Sequence, residues 1–307
     1  MQNNKDFLSI ADLPIDHVNN LIDRSCSSKT KPNQNILNKK NLVLLFEKPS
    51  LRTRVSFEIG IRQFGGECIY LNKEDVGMNS RENANDIAKV LDRWADGIIA
   101  RVFEHSTLIT LAENTTIPVI NALSDQEHPC QSIADLMTMK EHKNKLEGLK
   151  VVFVGDGNNV AASLSMGCAS VGADFILSCP SGYEIPQVLW SNAKKRAAVT
   201  GSKLEIINDP KIAVSNADVI YTDVWVSMGQ EDETKNRIDQ FSQYQVNPEL
   251  MLLANKNAIF MHDMPAHENE EISLGMLDHP QSVVFDQAEN RLHAQKGILS
   301  HIFTNTI

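Results

Sequence analysis

The chain has no hydrophobic stretch approaching the ~18 residues that cross a bilayer, and its opening residues, MQNNKDFLSIADLP, contain no apolar core of a signal peptide. Its five cysteines (Cys26, Cys68, Cys130, Cys168, Cys179) form no CxxC pair and no metal-ligand spacing, so neither a disulfide framework nor a zinc site is indicated. An odd, scattered set reads as reduced thiols, and a cytoplasmic location is expected. Positive charge is also scarce: 29 basic against 39 acidic side chains leave a formal charge of −10. A general affinity for nucleic acid or an anionic membrane needs a cationic footprint, and this chain lacks one. Internal repeats and low-complexity tracts are missing as well. What remains is a globular chain of 307 residues, 42% hydrophobic, long enough to bury a large core.

A short apolar run followed by a helical pattern recurs along that chain. Strands are predicted at Leu42–Phe46, Cys68–Leu71, Gly97–Ala100, Pro118–Leu123, Val151–Val154, Phe175–Ser178, Val219–Thr222 and Ala258–Met261. Amphipathic segments such as Arg52–Phe64, Asn83–Trp94 and Gln131–His142 lie between them. Continuous apolar strands alternating with helices predict an α/β fold of two doubly wound parallel-sheet domains. The charged segment Lys140–Lys150 is the predicted boundary, giving domains 1–140 and 141–286. The final helical stretch, 287–307, is expected to pack back on the first. In such sheets ligands bind outside the carboxyl ends of the strands. Ser50, Arg52, Arg101, His128, Asp156, Asn159, Asp223, His262 and Asp263 all follow strands closely, which predicts an active site in a cleft between the two domains.

The strongest segment is FEKPSLRTRVSFEIG at Phe46–Gly60. Pro49 stops the strand, Ser50 is placed to cap a helix, and two sets of apolar residues, Val55 with Ile59 and Phe57 with Ile61 and Phe64, recur at helical spacing. A helix N-terminus carrying Ser50, Thr53 and the planar donors of Arg52 suits a phosphate. In EHPCQSIAD, Pro129 is expected at the first helical position, leaving His128 at the cap and Gln131 in the first turn. No base partner for Cys130 is evident, which argues against a nucleophile. VGDGNNV resembles a dinucleotide fingerprint but has Val160 where the third glycine belongs, so a nicotinamide cofactor is not indicated. Asp223 in DVWVSMG and His262-Asp263 in MHDMPAH put carboxylates at strand ends. A helix cap and a buried hydrogen-bonded pair are the competing structural readings. Arg291, in FDQAENRLHAQ, reads from local chemistry as a surface residue.

Taken together these segments resemble the aspartate/ornithine carbamoyltransferase family across roughly residues 5–300. SLRT and HPCQ resemble signatures shared by both branches, whereas DGNN, DVWVSMGQEDE, HDMPAH and FDQAENRLHAQK resemble the ornithine branch. The resemblance implies transfer of the carbamoyl group of carbamoyl phosphate to the side-chain amine of ornithine, giving citrulline and phosphate, and leaves open whether the reaction serves arginine biosynthesis or arginine degradation. It implies that Ser50, Leu51 (through its backbone), Arg52 and Thr53 hold the phosphate. Arg101, His128, Gln131 and Arg291 would hold the carbamoyl end, and Asn159, Asp223, Ser227 and Met228 the amino-acid end of ornithine. A homotrimer is implied, with no metal or organic cofactor needed. Two departures stand out: Leu51 replaces the usual threonine, and Asp263 replaces a cysteine that contacts the ornithine side-chain amine in homologues. A carboxylate there can accept from an ammonium or take its proton. Three other readings stay open: a sister enzyme carbamoylating putrescine or another amine, a non-catalytic paralogue that keeps the donor site, and, more remotely, a nicotinamide-dependent oxidoreductase.

Overall fold

The computed structural model describes residues 5–30, 35–78, 81–227 and 229–304, with Glu231 described by its backbone alone. In chain order the first elements are α1 (Ile15–Thr30), β1 (Asn41–Phe46), α2 (Leu51–Gln63), β2 (Glu67–Asn72), α3 (Lys73–Val76) and α4 (Ala84–Trp94). They are followed by β3 (Gly97–Arg101), α5 (His105–Glu113), β4 (Val119–Leu123) and α6 (Pro129–Lys143). The second run comprises β5 (Lys150–Val154), α7 (Asn159–Val171), β6 (Asp174–Ser178), α8 (Gln187–Thr200), β7 (Leu204–Ile206), α9 (Pro210–Ala213) and β8 (Val219–Thr222). It closes with α10 (Thr234–Phe241), α11 (Pro248–Met251), β9 (Ile259–His262) and α12 (Val284–Thr304). Two compact units result: Met1–Met137 with Asn290–Ile307, and Thr138–Glu289. The division falls inside α6 and inside α12.

Both sheets are wholly parallel, as expected for apolar strands with helical crossovers. The first has strand order β2-β1-β3-β4 and the second β7-β6-β5-β8-β9. All five residues of β3 are buried, and its neighbours β1 and β4 are almost as dry. On one face of the first sheet, Val43, Leu45, Ile98 and Ala100 pack with Ile87, Ala88 and Leu91 of α4 and with Leu108 and Leu111 of α5. The C-terminal half of α12 belongs to this unit too: Lys296 lies against Gly60 of α2, and Gly297 lies against Ser25 of α1. In the second unit, Val152, Val154, Ile220 and Phe260 from the strands close with Trp225, Phe241, Tyr244 and Val284 into one core.

The eight predicted strands are present with ends shifted by a residue or so. β7 was not anticipated. It is a three-residue edge strand, mostly exposed, so it carries no continuous apolar run. The helix predicted after Pro49 is α2. Phe57, Ile61 and Phe64 face inward, whereas Val55 and Ile59, on the opposite side of the helix, are exposed.

In each sheet the strand order reverses once, between β1 and β3 and between β5 and β8. The connections from two adjacent strands leave in opposite directions there and open a crevice at their carboxyl ends. The loops after Phe46 and Arg101, and those after Val154 and Thr222, border these crevices.

Candidate functional site

At the first reversal point the chain leaves β1 through Glu47-Lys48-Pro49 and enters α2 at Ser50. Ser50 has extended backbone (φ −161°, ψ 116°), and its Oγ accepts the Thr53 N–H at 3.3 Å, a conventional serine cap. The same hydroxyl donates to Thr53 Oγ1 at 3.0 Å. Leu51 is 74% exposed, so its backbone N–H stands at an open helix end. Arg52 is half-buried in the first turn.

Thr53 is buried, and its Oγ1 also accepts from Nη2 of Arg291 at 3.1 Å. Arg291, far along the chain on α12, is itself only 3% exposed, and its Nη1 donates to Oε1 of Gln131. Gln131 in turn donates to Asp135 at 2.8 Å. Ser50, Thr53, Arg291, Gln131 and Asp135 are therefore links of one hydrogen-bonded chain. The Arg291 guanidinium is held at its centre, and the surface position read from the sequence is incorrect.

Pro129 is the first residue of α6, and the His128 carbonyl accepts from Gln131 and Ser132. The His128 side chain is buried. Burial first, then the charges of Arg291 and Arg101, hold its imidazole well below the usual pKa range. His128 is thus a neutral hydrogen-bonding group beside two cations. Arg101 ends β3, where the register with β4 shifts, and is 9% exposed. Cys130 donates to the Asn121 carbonyl at 3.2 Å, and burial pushes its thiol up to about 12, which removes it as a nucleophile. The expected donor-site residues Ser50, Thr53, Arg101, His128, Gln131 and Arg291 thus lie together within one unit.

At the second reversal point the loop Gly155–Asn158 follows β5. Gly157 donates its N–H to Tyr183 O at 2.8 Å, and a side chain there would lie 2.4 Å from the Ile185 nitrogen. Gly155 has φ 138°, beyond the reach of most side chains. Gly157 is thus required by close backbone packing and Gly155 by its backbone conformation, both independent of any dinucleotide. Asn158 caps α7, accepting from Val160 at 3.0 Å and Ala161 at 3.1 Å, while its amide donates to Asp223 Oδ2 at 2.7 Å. Asn159, half-buried, opens α7 beside it.

Asp223 is buried and begins no helix, which disposes of the capping alternative. Its other oxygen accepts the Val224 N–H at 2.7 Å. Asp223, His262 and Asp263 bring one side-chain atom each to within 4.8 Å of one another. His262 Nδ1 accepts the Met264 N–H at 2.9 Å, which requires its proton on Nε2, and Nε2 faces Glu271 Oε1 at 3.1 Å. With both ring nitrogens engaged, the imidazole has no lone pair for a cation. A ligand therefore meets two carboxylates here, a pairing suited to an ammonium. Ser227, half-buried, bonds through its backbone to Gln230. Met228 lies outside the described residues.

Arg237 and Glu271 were not anticipated as site residues; they lie in strongly charged segments and carry no local mark. Asn158, by contrast, stands just before the apolar run of α7, where an asparagine is a helix-start signal.

Two family models and several known proteins match this chain. Residues 5–141 match the family model described as aspartate/ornithine carbamoyltransferase, carbamoyl-P binding domain, and residues 147–302 match its Asp/Orn binding domain. The ornithine carbamoyltransferase of Thermococcus kodakarensis is 50% identical over 88% of this chain and 85% of its own length. That of Bacillus subtilis is 46% identical over 97% of this chain and 93% of its own. The ornithine carbamoyltransferase structure from Pyrococcus furiosus superposes with a TM-score of 0.93 at 44% identity, covering 97% of this chain and 96% of that one. The chain belongs to the aspartate/ornithine carbamoyltransferase family.

Proposed function

We propose that the chain is an ornithine carbamoyltransferase, moving the carbamoyl group of carbamoyl phosphate to the side-chain amine of L-ornithine and releasing L-citrulline and phosphate. The carboxylate pair Asp223 and Asp263 carries the choice of acceptor. An acceptor with two ammonium groups is attracted there, whereas the dianionic side of aspartate is repelled.

Carbamoyl phosphate docks at the N-terminus of α2, its phosphate held by Ser50, the Leu51 N–H, Arg52 and Thr53. Unpaired N–H groups and the helix dipole favour the anion there. Arg101, His128, Gln131 and Arg291 surround the carbamoyl end. Because His128 is neutral, it donates one N–H to the carbonyl oxygen without surrendering a proton, and the arginines stabilise the oxyanion that develops. Asp223 holds the α-ammonium of ornithine, Asn159 its carboxylate, with Ser227 and Met228 completing the acceptor site. The side-chain amine gives up a proton, with Asp263 as acceptor or relay, and attacks the carbonyl carbon. The C–O bond to phosphate then breaks, and phosphate departs with the second proton that the attacking nitrogen loses. The donor is already activated, so holding both reactants in register supplies much of the rate.

We assign the activity to the biosynthetic direction and to the cytoplasm. A relative from Pyrococcus furiosus, 48% identical, is named as the anabolic enzyme. We also assign a trimer. Leu51, Val55 and Ile59, 74%, 42% and 40% exposed, form an apolar row on α2, a surface suited to association.

Ureido-product formation from carbamoyl phosphate, with ornithine, putrescine and aspartate offered separately, tests the reading. Citrulline from ornithine is expected to dominate. Preference for putrescine would transfer the assignment to a diamine, and tight carbamoyl-phosphate binding without turnover would identify a non-catalytic paralogue. Arg52→Ala should abolish carbamoyl-phosphate binding while sparing the fold, and Asp223→Ala should weaken ornithine alone.

A further inference from the structure

We infer that Glu271 is a positioning residue for the acceptor carboxylate, acting through the tautomer of His262. The inference rests on the acceptor role proposed for Asp263.

Asp263 sits between two residues whose backbones are fixed. On one side, His262 ends β9 paired with Thr222, and its N–H donates to Gln287 Oε1 at 2.9 Å. On the other, Met264 is held at φ 59°, a left-handed conformation unfavourable for a side chain of this kind. The Met264 N–H is satisfied by Nδ1 of His262. That bond exists only while Nδ1 is deprotonated. An imidazole protonated at Nδ1, whether as the other tautomer or as the cation, would turn a donor toward a donor.

Glu271 decides which nitrogen carries the proton. It is fully buried, and its Oε1 faces His262 Nε2 at 3.1 Å while accepting the His267 N–H at 2.5 Å. Its own place is fixed by the backbone: Val246 donates to the Glu271 carbonyl at 2.9 Å, and Ile272 is bridged to Val246. One buried carboxylate thus fastens both ends of the turn His262–His267. It keeps the proton on Nε2, which keeps the Met264 backbone in place and so fixes the direction of the Asp263 side chain toward Asp223.

Glu271 touches no proposed ligand, so its loss should appear in acceptor kinetics alone. In Glu271→Ala, kcat/KM for ornithine is expected to fall about ten- to hundredfold, the scale of a lost hydrogen bond to a charged group, with KM for carbamoyl phosphate unchanged. Glu271→Gln should recover most of the loss, because an amide oxygen accepts the same two N–H groups. In an Asp263→Asn background, Glu271→Ala should cost less than about threefold more. Full additivity with Asp263→Asn, or equal losses for both substrates, would overturn the proposal. Should Glu271→Ala fail to fold, the ¹⁵N spectrum of wild-type His262, assigned by its disappearance in His262→Asn, still decides. The Nε2–H tautomer is expected, and an Nδ1–H tautomer refutes the inference. Absence of citrulline from the wild-type protein would instead remove the proposed function, leaving the tautomer to be judged on its spectrum.

Discussion

Replacing Arg237 with methionine probes how the acceptor loops are held. The guanidinium is buried and donates from Nη1 to Asp156 at 2.8 Å and to the Trp225 carbonyl at 3.1 Å, and from Nε to Glu233 at 2.8 Å. It thereby ties the loop after β5 to the loop after β8. The bond to Glu233 contributes little, because that carboxylate is 59% exposed. The bond to Asp156 decides the outcome. Burial already raises the Asp156 pKa, and Arg237 is the main influence opposing it. Removing one partner of a buried pair leaves an uncompensated charge, at a cost of ~3–5 kcal/mol. For a unit of this size that corresponds to a Tm lower by about 6–20 °C. The sign of the pH dependence follows from the shift. A carboxyl whose folded pKa lies above its unfolded value destabilises the protein increasingly as pH rises through that window. Without Arg237 the folded pKa climbs further, so Arg237→Met should regain part of its loss between pH 7.5 and pH 5.5. Adding Asp156→Asn removes the stranded charge and should restore more than half of the deficit at neutral pH. Thermal melts of the three variants at both pH values are sufficient. A loss below about 1 kcal/mol in Arg237→Met, or a double variant no more stable than the single, would refute the reasoning.

Three further outcomes are expected. Gly157→Ala places a Cβ 2.4–2.6 Å from backbone atoms of residues 183–185, none of which can rotate away. A loss of about 3 kcal/mol is expected, with weaker ornithine binding as Asn158 shifts, and a wild-type melting temperature would contradict the packing described. His128 has a folded pKa below its unfolded value, so its contribution is present above about pH 6.5 and is lost as pH falls, by up to ~1.4 kcal/mol per unit. Stability measured from pH 7.5 to 5 should therefore fall less steeply in His128→Gln, although half-buried His105 and His301, also depressed, keep part of the slope. Finally, Ser50→Ala should destabilise α2 by about 1 kcal/mol and weaken carbamoyl phosphate; an unchanged KM for the donor would remove Ser50 from the phosphate site.

How much of this was legible beforehand depends on whether the signal is local. Pro129 announced the start of α6, and Ser50 the start of α2, because caps and proline act within one turn. Apolar runs located eight strands but not β7, a three-residue edge strand that is mostly exposed. Arg291 shows the opposite case. In helical context it is one arginine among polar neighbours, and its burial depends on Thr53 and Gln131, which only the folded chain supplies. Local chemistry placed it on the surface, and the family resemblance alone suggested otherwise. Arg237 and Glu271 were hidden for a related reason. QEDETKNRID and HENEE look like solvated charge, yet one member of each is buried because a distant loop returns to meet it. The exposed row Leu51, Val55 and Ile59 shows that helical spacing of apolar residues marks a face without saying what covers it.

The bond from Arg291 to Thr53 joins residues 238 positions apart, and this separation has a meaning in time. At a synthesis rate of 5–20 residues per second, on the order of 10–50 s passes between the emergence of the phosphate turn and that of its arginine. During that interval α2 also lacks Lys296, which ends fully buried with its ammonium 2.8 Å from Gln63 Oε1 and about one ring's width, 5.0 Å, from the centre of Phe64. The nascent first unit therefore waits with one side of its core open while the whole second unit is made. A chain interrupted before α12 loses more than an arginine: it keeps the anion-binding turn but not the helix that closes the layer behind it.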